Sequence, residues 1–167
     1  MAKLTVEEII DRAVNATRIA SDRTVKDTFK ATEKRLYAYP IIRMKIEDDK
    51  EKMEEIKQYG VPGKSKSIVR FNTSGARLTL DEIQNALLRD MAADIARNEL
   101  EIETINKSLE IIKNDPYCDI VKYKYFEGKN DDVIAEIMSC DPTTVRRNKS
   151  RLVGRLAVFL YGVNAVN

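Results

Sequence analysis

DDVIAEIMSCDPTTVRRNKSRLVGRL, residues 131–156, decides how this chain folds. A short apolar segment, Val133, Ile134, Ile137 and Met138, gives way to Ser139-Cys140-Asp141. The next fifteen residues, Pro142 to Leu156, hold five basic side chains and no acid. Asp141 is placed to cap the helix that Pro142 begins, by accepting from the amide of Thr143 or Thr144. Ala135 is small where a second helix must cross closely, and Val145 follows it ten residues later. That spacing faces the two helices of a helix-turn-helix toward each other.

Projection of the second of these helices at about 100° per residue separates two faces. Val145, the stem of Lys149, Leu152 and Leu156 point inward, while Thr143, Arg147, Ser150, Arg151 and Gly154 point out. Modules of this kind put the first turns of that helix into the major groove of a duplex. Thr143, Thr144, Arg146, Arg147, Lys149, Ser150, Arg151 and Arg155 are therefore the candidate DNA-contacting residues. Arg147 is the candidate base reader, because its planar fork matches guanine O6 and N7. Arg146, Lys149, Arg151 and Arg155 flank that face and suit phosphates, and Thr143 suits a thymine methyl or a phosphate. Gly154 costs about 1 kcal/mol relative to alanine inside a helix. Either a DNA backbone or another helix approaches it, or the cost is merely tolerated. From Ala157 to Tyr161 the helix is apolar on nearly all sides, so Val158 and Tyr161 are expected to meet a second surface.

Outward from this core motif, Asn114 or Asp115 before Pro116 marks a helix start. The helix to Phe126 should bury Ile120, Val121 and some of its aromatic residues, and Gly128 should supply a left-handed stop. Residues 115–167 thus read as a three-helix domain. Upstream, residues 79–114 read as one long helix whose a/d series is Leu88, Met91, Ile95, Asn98, Ile102, Ile105, Leu109 and Ile112. A lone polar residue in such a seam fixes register or oligomer state, which makes Asn98 the candidate specificity residue. The periodicity does not say whether the partner is Ile41 to Ile56 of the same chain or another subunit.

Residues 1–59 read as N-terminal helices. Thr5 and Glu8 form a capping box for a segment with Val6, Ile9, Ile10, Ala13 and Val14 on one side. A second segment begins near Ser21 or Asp22 and meets Pro40, where a kink or break is expected. Beyond it, Ile42, Ile46, Met53 and Ile56 form a thin stripe, and Glu47, Asp48, Asp49, Glu51, Glu54 and Glu55 read as a solvated face. Residues 60–78 read as a linker or long loop, with Ser67 to Phe71 as a short strand or ordered patch and Lys64, Lys66 and Arg70 as a solvated basic loop or, less commonly, phosphate contacts. The fold class is all-α: a long helical hairpin or coiled coil followed by a helix-turn-helix.

Composition narrows the function. With 29 basic against 27 acidic residues the net charge is +2, so nucleic-acid affinity has to come from charge placement. The absence of histidine removes His-based metal sites and Ser-His or Cys-His nucleophiles, and no phosphate-cradling glycine loop occurs. The expectation is a protein that is not an enzyme and needs no cofactor, metal or catalytic residue. Cys118 and Cys140 imply no disulfide framework, and no stretch suits a signal peptide or membrane span, which points to the cytoplasm and away from membranes.

Two segments, residues 31–56 and 115–162, resemble the RinA/ArpU group of phage transcriptional regulators, and the second is similar to region 4 of bacterial sigma factors. The resemblance implies a phage or prophage late-gene activator in a bacterial host cell, bound to promoter DNA through Asp131 to Leu156. The long helices are then expected to mediate dimerisation or to contact RNA polymerase. Alternatives are a small terminase-like DNA-recognition subunit of a packaging machine and a coiled-coil adaptor for RNA polymerase. A homodimer would form through the 88–112 seam or through residues 157–161.

Overall fold

The computed structural model describes residues 5, 8–10, 12–14, 16, 27–61 and 79–166. The described residues are all-helical apart from turns and caps. Helix α1 spans Thr28–Tyr59 and α2 spans Leu80–Glu110. A short helix α3, Asp119–Val121, runs directly into a π-helical turn, Lys122–Phe126. Helix α4, Asp131–Ile137, and helix α5, Pro142–Tyr161, complete the fold before a 3₁₀ turn at Gly162–Ala165.

Helices α1 and α2 pack along each other as an antiparallel hairpin. Gln84 Nε2 donates to the Ile56 carbonyl at 3.0 Å near the loop end, and the Tyr39 hydroxyl donates to Asn106 Oδ1 at 2.9 Å toward the other. The seam of α2 is therefore used within the chain, with Ile95 and Ile105 buried and Ile46 buried on α1. Asn98 lies half-buried. Thr79 starts α2 with a capping box, its hydroxyl accepting from the Glu82 amide at 3.3 Å while Glu82 Oε2 accepts from the Thr79 amide at 2.8 Å.

Several boundaries differ from expectation, each for a local reason. Asp27 caps α1 by accepting from the Lys30 amide at 2.9 Å, so this helix begins at Thr28; Ser21 and Asp22, where a start was expected, lie outside the described residues. Pro40 does not break α1, which continues to Tyr59. An internal proline costs about 3 kcal/mol, but Leu36 before it and Ile46 after it are both buried, and the packing on either side holds the helix together. Helix α2 stops at Glu110 because successive turns take over through Cys118, Pro116 having no amide to continue a ladder. Ile112 stays buried beyond the helix end. Asp49 is buried among the acids read as a solvated face, with Lys45 as its ion-pair partner.

Thr5 and Glu8 form their capping box, with the Thr5 amide donating to Glu8 Oε2 at 2.8 Å. Val14 is buried as expected, but Ile9 is exposed. Val6, Ser67 to Phe71, Lys64, Lys66 and Arg70 lie outside the described residues.

Two cores run into one body. Ile120, Ile134, Ala135 and Val145 form the centre of the α3–α4–α5 unit. Farther along α5, Leu152, Val153 and Leu156 join Val121 and Tyr125 against Leu36 and Ile105 of the hairpin and Ile112 beyond it. The π-helical turn makes this junction: Tyr125 donates to Glu33 Oε1 at 2.7 Å, and Phe126 stacks on Tyr39 at 4.5 Å. Burial, reinforced by that bond, raises the Tyr125 phenol above its ordinary value, so it stays a donor. Arg35 ties the same junction together, gripping Glu101 at 2.6 and 2.7 Å and lying 5.6 Å over the Tyr161 ring.

Candidate nucleic-acid interface

The helix-turn-helix is built from backbone bonds around Ala135. The Cys140 amide donates to the Ala135 carbonyl at 2.9 Å, and Ser139 reverses the chain with φ +50°. A left-handed non-glycine residue is costly, and it is held here by the packing of α4 on α5. Ala135 is buried where α5 crosses, and Val145 meets it in the same core. Asp141 accepts from the Thr143 amide at 2.7 Å, which holds its carboxyl below the ordinary value. Gly128 adopts φ +67° and ends the preceding segment as expected.

Thr143, Arg147 and Ser150 lie exposed along one outward stripe of α5. Among the described residues no hydrogen bond or ion pair holds the Arg147 guanidinium. Thr144 is half-buried, and its carbonyl accepts from Asn148 Nδ2 at 2.9 Å. The opposite face is closed by Val145, Leu152 and Leu156, each fully buried. A second buried stripe, Val153, Ala157 and Tyr161, faces the hairpin. Tyr161 thus finds its expected second surface, whereas Val158 is exposed, because the turn of the helix carries it to the outward side.

The flanking cations differ in their freedom. Arg146 is 62% exposed, with Nε 3.8 Å from Asp131 Oδ2. Lys149 is only 19% exposed, and its Nζ lies 3.2 Å from the same carboxylate, which Lys124 also approaches at 2.8 Å. Burial pushes the Asp131 pKa up, but hydrogen bonds from Lys124 and Lys149 and their charges outweigh it, leaving the group below its ordinary value. Asp131 therefore clamps α4 to α5 and to the π-helical turn.

On the other flank, Arg151 forms a fork on Asp115 at 2.7 and 2.9 Å. Arg155 Nη1 reaches the same carboxylate at 3.3 Å, and its Nη2 donates to the Ile111 carbonyl at 3.2 Å. Asn148, buried, accepts from Arg151 Nε at 3.1 Å and so holds the fork from below. The Arg151 bonds hold the Asp115 carboxyl below its usual range. Asp115 also accepts from the Tyr117 amide at 3.1 Å, but it caps a turn and not the helix expected from Pro116: α3 begins only at Asp119, behind Cys118, which makes no side-chain cap bond.

Sequence reasoning thus found the outward stripe and missed Asp115, Asp131 and Asn148 as its supports. Their signal was present only as acids at the starts of α3 and α4 and a lone asparagine on α5. Gly154 has open space among the described residues where a side chain would sit, so no described helix accounts for it. No described helix is long and apolar enough to cross a membrane. No protein-family profile, curated protein or solved structure matches this chain.

Proposed function

We propose that the chain is a sequence-specific double-stranded DNA-binding transcriptional regulator that inserts the first turns of α5 into a major groove. The observation that carries the reading is the exposed stripe Thr143, Arg147 and Ser150 on a helix whose other sides are fixed by Val145, Leu152 and Leu156. A guanidinium held by a rigid helix and not engaged by any described residue of its chain is suited to base edges. Arg146 adds an exposed charge for phosphate, and Lys149, Arg151 and Arg155 contribute phosphate contacts to the extent that they leave Asp131 and Asp115. The resemblance to RinA/ArpU regulators makes the target a phage or prophage late promoter and RNA polymerase a partner.

The test is a duplex-binding titration with DNA from the chain's own operon at several salt concentrations. Binding whose log affinity falls linearly with log salt, together with activation of a reporter from that promoter, supports the regulator. No duplex binding at low salt overturns it and favours an adaptor for RNA polymerase. Duplex binding by a large ring of subunits without promoter activation favours a packaging subunit.

A further inference from the structure

The face of α1 turned away from α2 carries a second seam. Lys30, Lys34, Tyr37, Ile41, Met44, Asp48, Glu51 and Glu55 recur at alternating steps of four and three, the spacing of a coiled-coil stripe, and all eight are exposed. Ile41 and Met44 are left in water at 68% and 70% exposed, and Tyr37, whose ring meets Tyr125 edge-on at 4.7 Å, keeps 46% of its surface exposed. Leu36 and Ile46 on the same helix are buried, so this stripe is not the one that holds the hairpin.

The order of chemistry along the seam specifies its occupant. Two lysines come first, three apolar residues lie in the middle and three acids come last. We infer that a second copy of this chain docks on the stripe with its α1 running antiparallel. Antiparallel coiled coils pair successive seam positions about a central two-fold axis. Placing that axis between Ile41 and Met44 sets Ile41 against Met44, Tyr37 against Asp48, Lys34 against Glu51 and Lys30 against Glu55. Each layer is then apolar on apolar, hydroxyl on carboxylate, or cation on anion. A parallel pair would instead stack Lys34 on Lys34 and Glu51 on Glu51, which repel. The present intrachain partners, Asp27 with Lys30 at 3.1 Å and Lys52 with Asp48, are exposed pairs of small worth and do not compete strongly.

The apolar centre is short, so the charges chiefly set orientation and register. The inference stands independently of DNA binding by α5. It also relocates self-association from the 88–112 seam, which the hairpin occupies, to the opposite side of α1.

Sedimentation equilibrium of the full chain tests it, with circular dichroism as a check on helicity. The wild type should show a concentration-dependent monomer–dimer equilibrium that Ile41→Asp weakens by about tenfold or more, equivalent to about 1.4 kcal/mol. Lys34→Glu should weaken the dimer, and Lys34→Glu combined with Glu51→Lys should restore it. A wild-type monomer at the highest concentration reached, or a dimer unaffected by Ile41→Asp, overturns the interface. Failure of the paired charge swap to rescue overturns the antiparallel register, and because both side chains are exposed their exchange leaves the core intact.

Discussion

Asp115 shows how one side chain serves both the fold and the proposed function. It caps the turn before Tyr117 and draws Arg151 and Arg155 against the body of the protein. Its folded pKa is depressed, chiefly by the Arg151 hydrogen bonds. The carboxylate's stabilising contribution is therefore complete above the unfolded value near pH 4 and is lost as pH falls through the folded value. Asp115→Asn should be less stable than wild type at neutral pH, with the difference closing below about pH 4, as followed by denaturant unfolding across that range. Freed of Asp115, Arg151 and Arg155 should also bind phosphate more readily, steepening the dependence of duplex affinity on salt by up to about 1.8 log units per log unit for two contacts. An unchanged salt slope would mean that neither arginine reaches DNA. At this scale the sequence showed the inward stripe of Val145, Leu152 and Leu156, because one period reports one face. It did not show that Asp115 pairs with arginines 36 and 40 positions later, which only the packing of α5 on the turn creates.

Helix α5 is the element in which fold and proposed function divide by face. Gly154 sits in its interior with open space around it, so Gly154→Ala should stabilise the protein by about 1 kcal/mol in thermal or chemical unfolding. If DNA approaches that outward face, the same variant binds duplex more weakly despite its greater stability; equal binding would mark the glycine as tolerated. Capping residues made several helix starts legible: Thr5, Thr79 and Asp141 act as their types predict, whereas Asp115 caps a turn and α3 starts four residues later. Pro40 does not end α1: the local rule counts a lost hydrogen bond and a clash but not the packing of Leu36 and Ile46 on either side. The π-helical turn was also hidden. Nothing in KYKYF announces the wider turn that delivers Tyr125 to Glu33 and Phe126 to Tyr39.

Across the whole molecule, the second stripe of α5 and the π-helical turn join the hairpin and the helix-turn-helix through a shared core. Leu36 is buried in that junction, so Leu36→Ala should cost about 2–5 kcal/mol and leave a single cooperative transition. Coincident unfolding curves from helicity and from tyrosine fluorescence would show it, whereas separate midpoints would show that the two parts melt independently. The heptad period of α2 foretold a seam but not its partner, since periodicity carries no information on which helix fills it. The structure gives that partner as α1 of the same chain. The proposed reading of DNA by this body rests on Arg147, and the most direct measurement is the ratio of its affinities for operon and scrambled duplexes, compared between wild type and Arg147→Ala at fixed salt. The account predicts that the substitution collapses the ratio by about 1–3 kcal/mol while helicity and thermal stability stay unchanged. A variant that keeps the full wild-type ratio would contradict it.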